Sequence, residues 1–432
     1  MKRFRGTHLP ATPKIRFLSV CLVVPALFVA VLFCPVTLRP QIHPPDITCD
    51  NGSGEYSSRF FTGTTVSVGP VRNGAFAERA CAAKLTWGSE DIGVASNAAQ
   101  IGIDILGADL GFGKPVVAFQ IDETGNGTDR SYQIYSLAKP PRLLFTITGG
   151  GSYVAADTDL DGKVEIWTDD ASAVDGFEGV PIQSFDFAPT VVLRFEKKHL
   201  VDVSSGFASH YDAQVAEIRA QIEPQELAAF RNSDGILSLK ISGSSADLHR
   251  LIRTKIKVLE IVWTYLYSGR DAEAWSALQK MWPSRDFNRI RPEISAVRQR
   301  GILRGVDRAA GTPNHKHQVH IYDATGSSEA VSWNPFNPNG GAPDSTNQEP
   351  FVIQPKSILL RRPPPSEVED FRASDAAIEL VVDAAGKVRS ASLLSGADPR
   401  WIQAAAGWNF VPAFRDGSPV ACRFRLSVWD LK

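Results

Sequence analysis

The sequence predicts a multidomain α+β protein: an N-terminal transmembrane helix, an all-β domain, a helical segment and a small C-terminal α+β module. Three features point there. A long uncharged apolar run lies near the N-terminus, the apolar period changes from two to 3.6 after Ser205, and eight of the 28 prolines crowd into residues 335–365 ahead of the last module. At ~150 residues per domain, 432 residues allow two or three domains. A composition of 43% hydrophobic and 22% charged residues is that of a folded chain, which excludes wholesale disorder. The 46 Lys and Arg against 47 Asp and Glu provide no basic field, so nucleic acid is not an expected partner.

The charges divide unevenly. Lys2, Arg3, Arg5, Lys14, Arg16 and Arg39 are the charged residues of the first 45, leaving 40 bases against 47 acids beyond them. Residues 1–16 read as a basic cytoplasmic head. Phe17 to Leu38 (FLSVCLVVPALFVAVLFCPVTL) has no charge, and about 22 residues at 1.5 Å rise reach ~33 Å, the depth of a bilayer. With the basic head inside, the expectation is a single-pass inner-membrane anchor with the C-terminus in the periplasm. The alternative is a cleaved signal peptide, which favours a shorter apolar core and an Ala-x-Ala cut site that this run lacks. Residues 39–58 read as a tether. Cys49 and Cys81 sit together beyond the anchor and suit a disulfide in an oxidising compartment, with two free thiols as the alternative.

Residues 59–205 read as an all-β domain. Thr64–Val68, Val116–Ile121, Ser131–Tyr135, Arg142–Ile147, Lys163–Trp167 and Thr190–Phe195 are short, β-branched or aromatic runs with Gly- and Asp-rich turns between them. The domain is too short for a propeller, which leaves a sandwich or meander. Residues 206–305 read as helical. Leu248, Leu251, Ile252, Leu259, Val262, Trp263 and Leu266 recur at helical spacing, with Ser245 placed to cap the start and Gly269 to end it. A second helix is expected from Asp271 with Trp275, Leu278 and Trp282 on one face, and a third carries Phe287, Ile290, Ile294 and Val297. Residues 306–365 form a Pro/Asn-rich linker that would hold the last domain at a distance.

In residues 366–432, Ile378, Leu380 and Val382 alternate around Glu379. Asp383-Ala-Ala-Gly386 then turns into Lys387–Leu394, which predicts a hairpin. A helix is expected over about 399–407, and a last strand places Cys422, Phe424, Leu426 and Val428 on one side and Arg423, Arg425 and Ser427 on the other. Trp408 and Phe410 can pack the helix end on the sheet, Pro412 can stop the helix, and Asp416-Gly417 supplies a turn.

The order of these parts, closing on Trp408-x-Phe410-x-Pro412-Ala413-x-x-Asp416-Gly417-x-Pro419-Val420, resembles the C-terminal domain of the TonB family of energy transducers. The likeness covers about 70 residues. It implies a small sheet whose edge strand accepts an extended peptide by β-augmentation. The surface placed there is Arg423, Phe424, Arg425 and Ser427, with a solvated charged edge that discourages aggregation as the alternative. The implied partners are an outer-membrane receptor or envelope protein and, through the anchor, the inner-membrane motor complex. No His lies within Phe17–Leu38, where members of the family carry a Ser-x-x-x-His pattern for that coupling.

Asp157-Thr-Asp159-Leu-Asp161-Gly162-Lys-Val-Glu165 is the other chemical motif. Carboxylates at alternate positions converge on one cation when Gly162 permits a sharp turn, and an all-oxygen set suits Ca²⁺. The twelfth position is Thr168, which departs from an EF-hand, and the motif resembles the calcium loops of integrin-type β-repeats. The alternative is an Asp/Gly-rich turn with solvated carboxylates. His315, His317 and His320 cluster without a carboxylate or Cys beside them, and a polar loop is the simpler reading. No catalytic motif is found, so an enzyme is not expected. The expected function is a TonB-like adaptor that binds partners by strand addition, with transduction of proton-motive force for transport as what the resemblance further implies. The rival is an exported Ca²⁺-binding β-domain, ligand-binding or hydrolytic, with the C-terminal module as a tether.

Overall fold

The computed structural model describes residues 47–73, 76–125, 130–237, 244–309, 319–324, 355–359, 377–395 and 400–427. The expected head and anchor, most of the Pro/Asn-rich stretch, His315 and His317 lie outside them. The described residues are β-rich, with 39% in strand and 30% in helix.

The first sheet is antiparallel, in the order Ile47–Asp50, Gln100–Leu106, Val116–Asp122, Arg130–Ser136, Arg142–Gly150. Its central strand, VVAFQID, is buried along its whole length because the sheet is covered on both faces. Side chains alternate across a strand, so successive residues enter different cores. Val117, Phe119 and Ile121 join Val66, Val68 and Leu85 of a four-stranded meander, while Val116 and Ala118 face the helical side. That meander runs Tyr56–Arg59, Thr65–Asn73, Phe76–Trp87, Glu90–Ala98. Cys49 of the first sheet and Cys81 of the meander form a disulfide across the 32 residues that separate them. The stretch expected as a tether thus already contributes the strands Ile47–Asp50 and Tyr56–Arg59.

A third sheet follows in the order Tyr153–Ala156, Glu165–Asp169, Thr190–Glu196, His199–Asp202, with the short Asp307–Arg308 joined in parallel. Helices cover it. The longest, Ser245–Tyr267, starts one residue earlier in its cap than the sequence suggested: Ser244, not Ser245, accepts the Asp247 N–H. Leu259 and Trp263 of this helix, Leu278 of Asp271–Met281 and Ile290 of Phe287–Val297 share one core with Tyr153, Ile166 and Leu193 of the sheets.

In the C-terminal region the hairpin Ala377–Val382/Val388–Ser395 pairs with Cys422–Ser427, and Tyr322–Asp323 adds to that strand in parallel. The helix is shorter than expected, Arg400–Ala405. Pro412 therefore does not stop it, and instead lies buried between the strands Asn409–Val411 and Ala413–Arg415. Asp416 and Gly417, at φ 52° and 79°, make the two-residue turn into Ser418–Val420, where both positions need positive φ.

Two expectations are corrected. The fold class is not a series of domains strung from a membrane helix. The helices and the first and third sheets share a single core, which Ala384 and Ala385 of the C-terminal hairpin also enter. Phe414 from the same region enters the core between first sheet and meander. The localisation as a single-pass inner-membrane protein is not supported: no helix among the described residues is long and apolar enough to cross a membrane. The one helix of sufficient length carries Lys255, Lys257 and Glu260, buried against Glu178 and one another.

Candidate functional site

The acidic motif forms the loop of a hairpin. Tyr153–Ala156 and Glu165–Asp169 pair antiparallel, and the last pair, Ala156 opposite Glu165, brings the two ends of the loop together. The loop then satisfies its own backbone with its carboxylates. The Gly162 N–H donates to Asp157 Oδ2 at 3.0 Å, Thr158 N–H to Glu165 Oε2 at 3.0 Å, and Lys163 N–H to Asp161 Oδ1 at 2.8 Å. Gly162 adopts φ 83°, the left-handed conformation the motif requires there. Trp167 Nε1–H donates to Thr158 Oγ1 at 2.7 Å and ties the loop to its own strand.

The folding of this loop brings ligand atoms of Asp157, Asp159 and Glu165 within 4.8 Å of one another. Asp161, the fourth residue singled out by sequence, is outside that triplet; its carboxylate pairs with Lys163 at 3.7 Å. Asp157 and Glu165 are completely buried, and one oxygen of each, Asp157 Oδ1 and Glu165 Oε1, has no hydrogen-bond partner among the described residues. Arg194 stands 3.7 Å from Glu165 Oε1 but places its other nitrogen on Glu196 at 2.6 Å. Burial, with Asp383 adding, pushes the Asp157 carboxyl up to about 8. Burial likewise holds Glu165 well above the ordinary carboxyl range, and Asp159, Asp157 and Asp161 add to it. Two ionisable oxygens so placed are stable only with a proton or a cation beside them. Three carboxylates and no nitrogen or sulfur donor form a set for a hard cation such as Ca²⁺.

Part of the site was not visible in the sequence. The Asp383-Ala-Ala-Gly386 turn of the C-terminal region is inserted against this loop. The Asp157 N–H donates to Asp383 Oδ2 at 3.0 Å, and Arg389 Nη2–H to the Thr158 carbonyl at 3.0 Å. Beside them Lys387 Nζ–H donates to Asp104 Oδ1 at 2.8 Å and to the Asp104 carbonyl at 2.6 Å, and Asn409 Nδ2–H reaches the same carbonyl at 2.6 Å. Asp104 is wholly buried and accepts from Tyr132 O–H at 2.6 Å and Ala155 N–H at 2.8 Å. The only local sign of this region was the turn itself. The expected spacer holding the last domain at a distance is thereby corrected: the domain is docked on the β-rich body.

The residues expected to bind partners lie elsewhere. Phe424 is buried, edge-on to Phe410 at 5.6 Å, while Arg423 and Arg425 are exposed and reach Glu379 across the strand pair at 3.8 and 3.9 Å. Ser427 ends the strand, opposite Ala377. The far side of this strand is already engaged at its start, where Tyr322 N–H donates to the Ala421 carbonyl at 3.0 Å and Ala324 N–H to the Arg423 carbonyl at 2.9 Å. Trp408 and Phe410 are core residues, Trp408 edge-on to Trp401, and Pro419 pairs opposite Phe414. His320 is exposed. No family model, curated protein or solved structure matches this chain.

Proposed function

We propose that this protein is a Ca²⁺-binding protein, in which Asp157, Asp159 and Glu165 ligate the cation and the TonB-like C-terminal module is a structural part of the same body. The observation that carries this reading is that Asp157 and Glu165 each bury one oxygen without a hydrogen-bond partner, in a triplet, completed by Asp159, whose ligand atoms lie within 4.8 Å of one another. An Asp/Gly-rich turn with solvated carboxylates does not bury them. The test is calorimetric titration of the full chain with CaCl₂. One equivalent of heat-producing binding is expected, lost in Asp157→Asn and Glu165→Gln; a wild-type chain that shows no binding at millimolar Ca²⁺ refutes the reading.

A second reading, strand addition by an extended peptide, is supported by the strand Cys422–Ser427. Its edge accepts Tyr322–Asp323 through main-chain hydrogen bonds. Main-chain recognition of this kind is tolerant of sequence, so a segment of another protein can take the same edge. A photoreactive residue in place of Arg425 would capture such a segment. Cross-links confined to the chain's own residues would count against it.

A further inference from the structure

The loop that carries the proposed ligands is shaped from two sides. Its own side chains supply one set of bonds, from Gly162 to Asp157 and from Thr158 to Glu165. The other set comes from residues more than 220 positions away in sequence: Asp383 takes the N–H of Asp157, and Arg389 donates to the carbonyl of Thr158. These two bonds bracket residues 157 and 158. They set the backbone that aims the Asp157 carboxylate, while the N–H between them, that of Thr158, binds the Glu165 ligand. The first and last ligands of the loop are therefore registered through one dipeptide, and that dipeptide is held by the C-terminal hairpin.

The hairpin turn is itself rigid. Asp383 Oδ1 accepts the N–H groups of Ala385 and Lys387, both at 2.9 Å, and Gly386 sits at φ 87° so close to the Phe410 carbonyl that a Cβ would stand 1.8 Å from its oxygen. Ala384 and Ala385 at its tip are buried in the core shared with the body. A turn packed this way ties Asp383 to the position of the whole module, and Arg389 stands on the strand Val388–Ser395 that leaves the turn.

We infer that cation binding at the Asp157–Glu165 loop and docking of the C-terminal module are one coupled event, with Asp383 and Arg389 as positioning residues for the ligands and the bound cation as the clamp that keeps the module in place. The inference rests on the reading of this loop as a Ca²⁺ site. Groups that orient metal ligands without touching the metal typically carry about 10-fold in affinity or more. Linkage then requires the cation to tighten docking by the same factor.

Two measurements on the full chain test it. In the first, Ca²⁺ affinity is compared by calorimetry for the wild type, Arg389→Ala and Lys387→Met. Lys387 holds the module to Asp104 and its side chain makes no bond to the loop, so a loss of about 10-fold in both variants marks coupling through docking. In the second, which needs no variant, amide exchange over residues 383–389 is followed with and without saturating Ca²⁺, and about 10-fold slowing is expected. Wild-type affinity in both variants, or exchange unchanged by Ca²⁺ in a chain that binds it, overturns the coupling and leaves the Ca²⁺ reading intact. A wild-type chain that binds no Ca²⁺ overturns both.

Discussion

The contact that fastens the C-terminal module to the body makes a quantitative prediction. Lys387→Met removes the ammonium from Asp104 and keeps a side chain of similar length, so little packing is lost. The Asp104 carboxylate is completely buried, and Lys387 itself is 15% exposed, so solvent does not replace the missing charge. Tyr132 O–H and Ala155 N–H still donate to Oδ2, which leaves Oδ1 without its partner. Tyr132 cannot substitute for the cation, because burial, with Asp104 adding, pushes its hydroxyl well above 10 and keeps it neutral. Breaking a buried pair from one side costs about 3–5 kcal/mol. By contrast, the pair Lys84–Asp91, more than half exposed on both partners, is worth about 0.2–1 kcal/mol. Urea unfolding followed by tryptophan fluorescence reads the difference, since Trp401 and Trp408 report on the module. Adding Asp104→Asn to Lys387→Met neutralises the stranded charge, and the double variant is expected to recover up to about 3 kcal/mol against additivity. A loss below about 1 kcal/mol for Lys387→Met would show that the pair is solvent-screened and that the module is not docked through it.

Two further outcomes follow from the body of the protein. The Cys49–Cys81 bridge closes a loop of 32 residues, and by chain entropy its removal in a Cys49→Ala/Cys81→Ala variant costs about 3.7 kcal/mol. Equal unfolding midpoints for the oxidised and the variant chain would contradict this. Burial pushes the Asp170 carboxyl up to about 6 although it accepts from Ile302 N–H and Tyr267 O–H. The folded chain thus holds this proton more tightly than the unfolded one. Its contribution, about 3 kcal/mol, is complete below about pH 4 and is lost as pH rises through about 6. Asp170→Asn removes that part of the pH dependence of the unfolding midpoint. An unchanged profile between pH 4 and 7 would refute the assignment.

Much of the local structure was legible. The strands around Val116–Ile121, Ser131–Tyr135 and Thr190–Phe195 recur within a residue or two, because β-branched and aromatic runs bounded by turn residues have few other uses. The Asp416-Gly417 turn was likewise written in residue types that tolerate positive φ. The strand Phe76–Trp87 is not legible in the sequence because alanines and charges mask its alternation, although Cys81, Ala83 and Leu85 do face one core. Of the acidic motif, Asp157, Asp159 and Glu165 were found from spacing alone, and spacing alone also included Asp161, which the fold turns toward Lys163.

The sequence by itself determined the hairpins, the amphipathic helices and the cluster of carboxylates, since each depends on residues within about one turn or one strand of one another. Tertiary structure alone decided that two of those carboxylates are buried with one oxygen each left without a hydrogen-bond partner, and that the C-terminal hairpin seats on their loop. Those outcomes rest on contacts such as Asp157–Asp383 and Asp104–Lys387, which are 226 and 283 residues apart. No local pattern encodes such pairs. They arise where separate apolar surfaces share one core, and the polar groups trapped at its boundary must then find partners with one another.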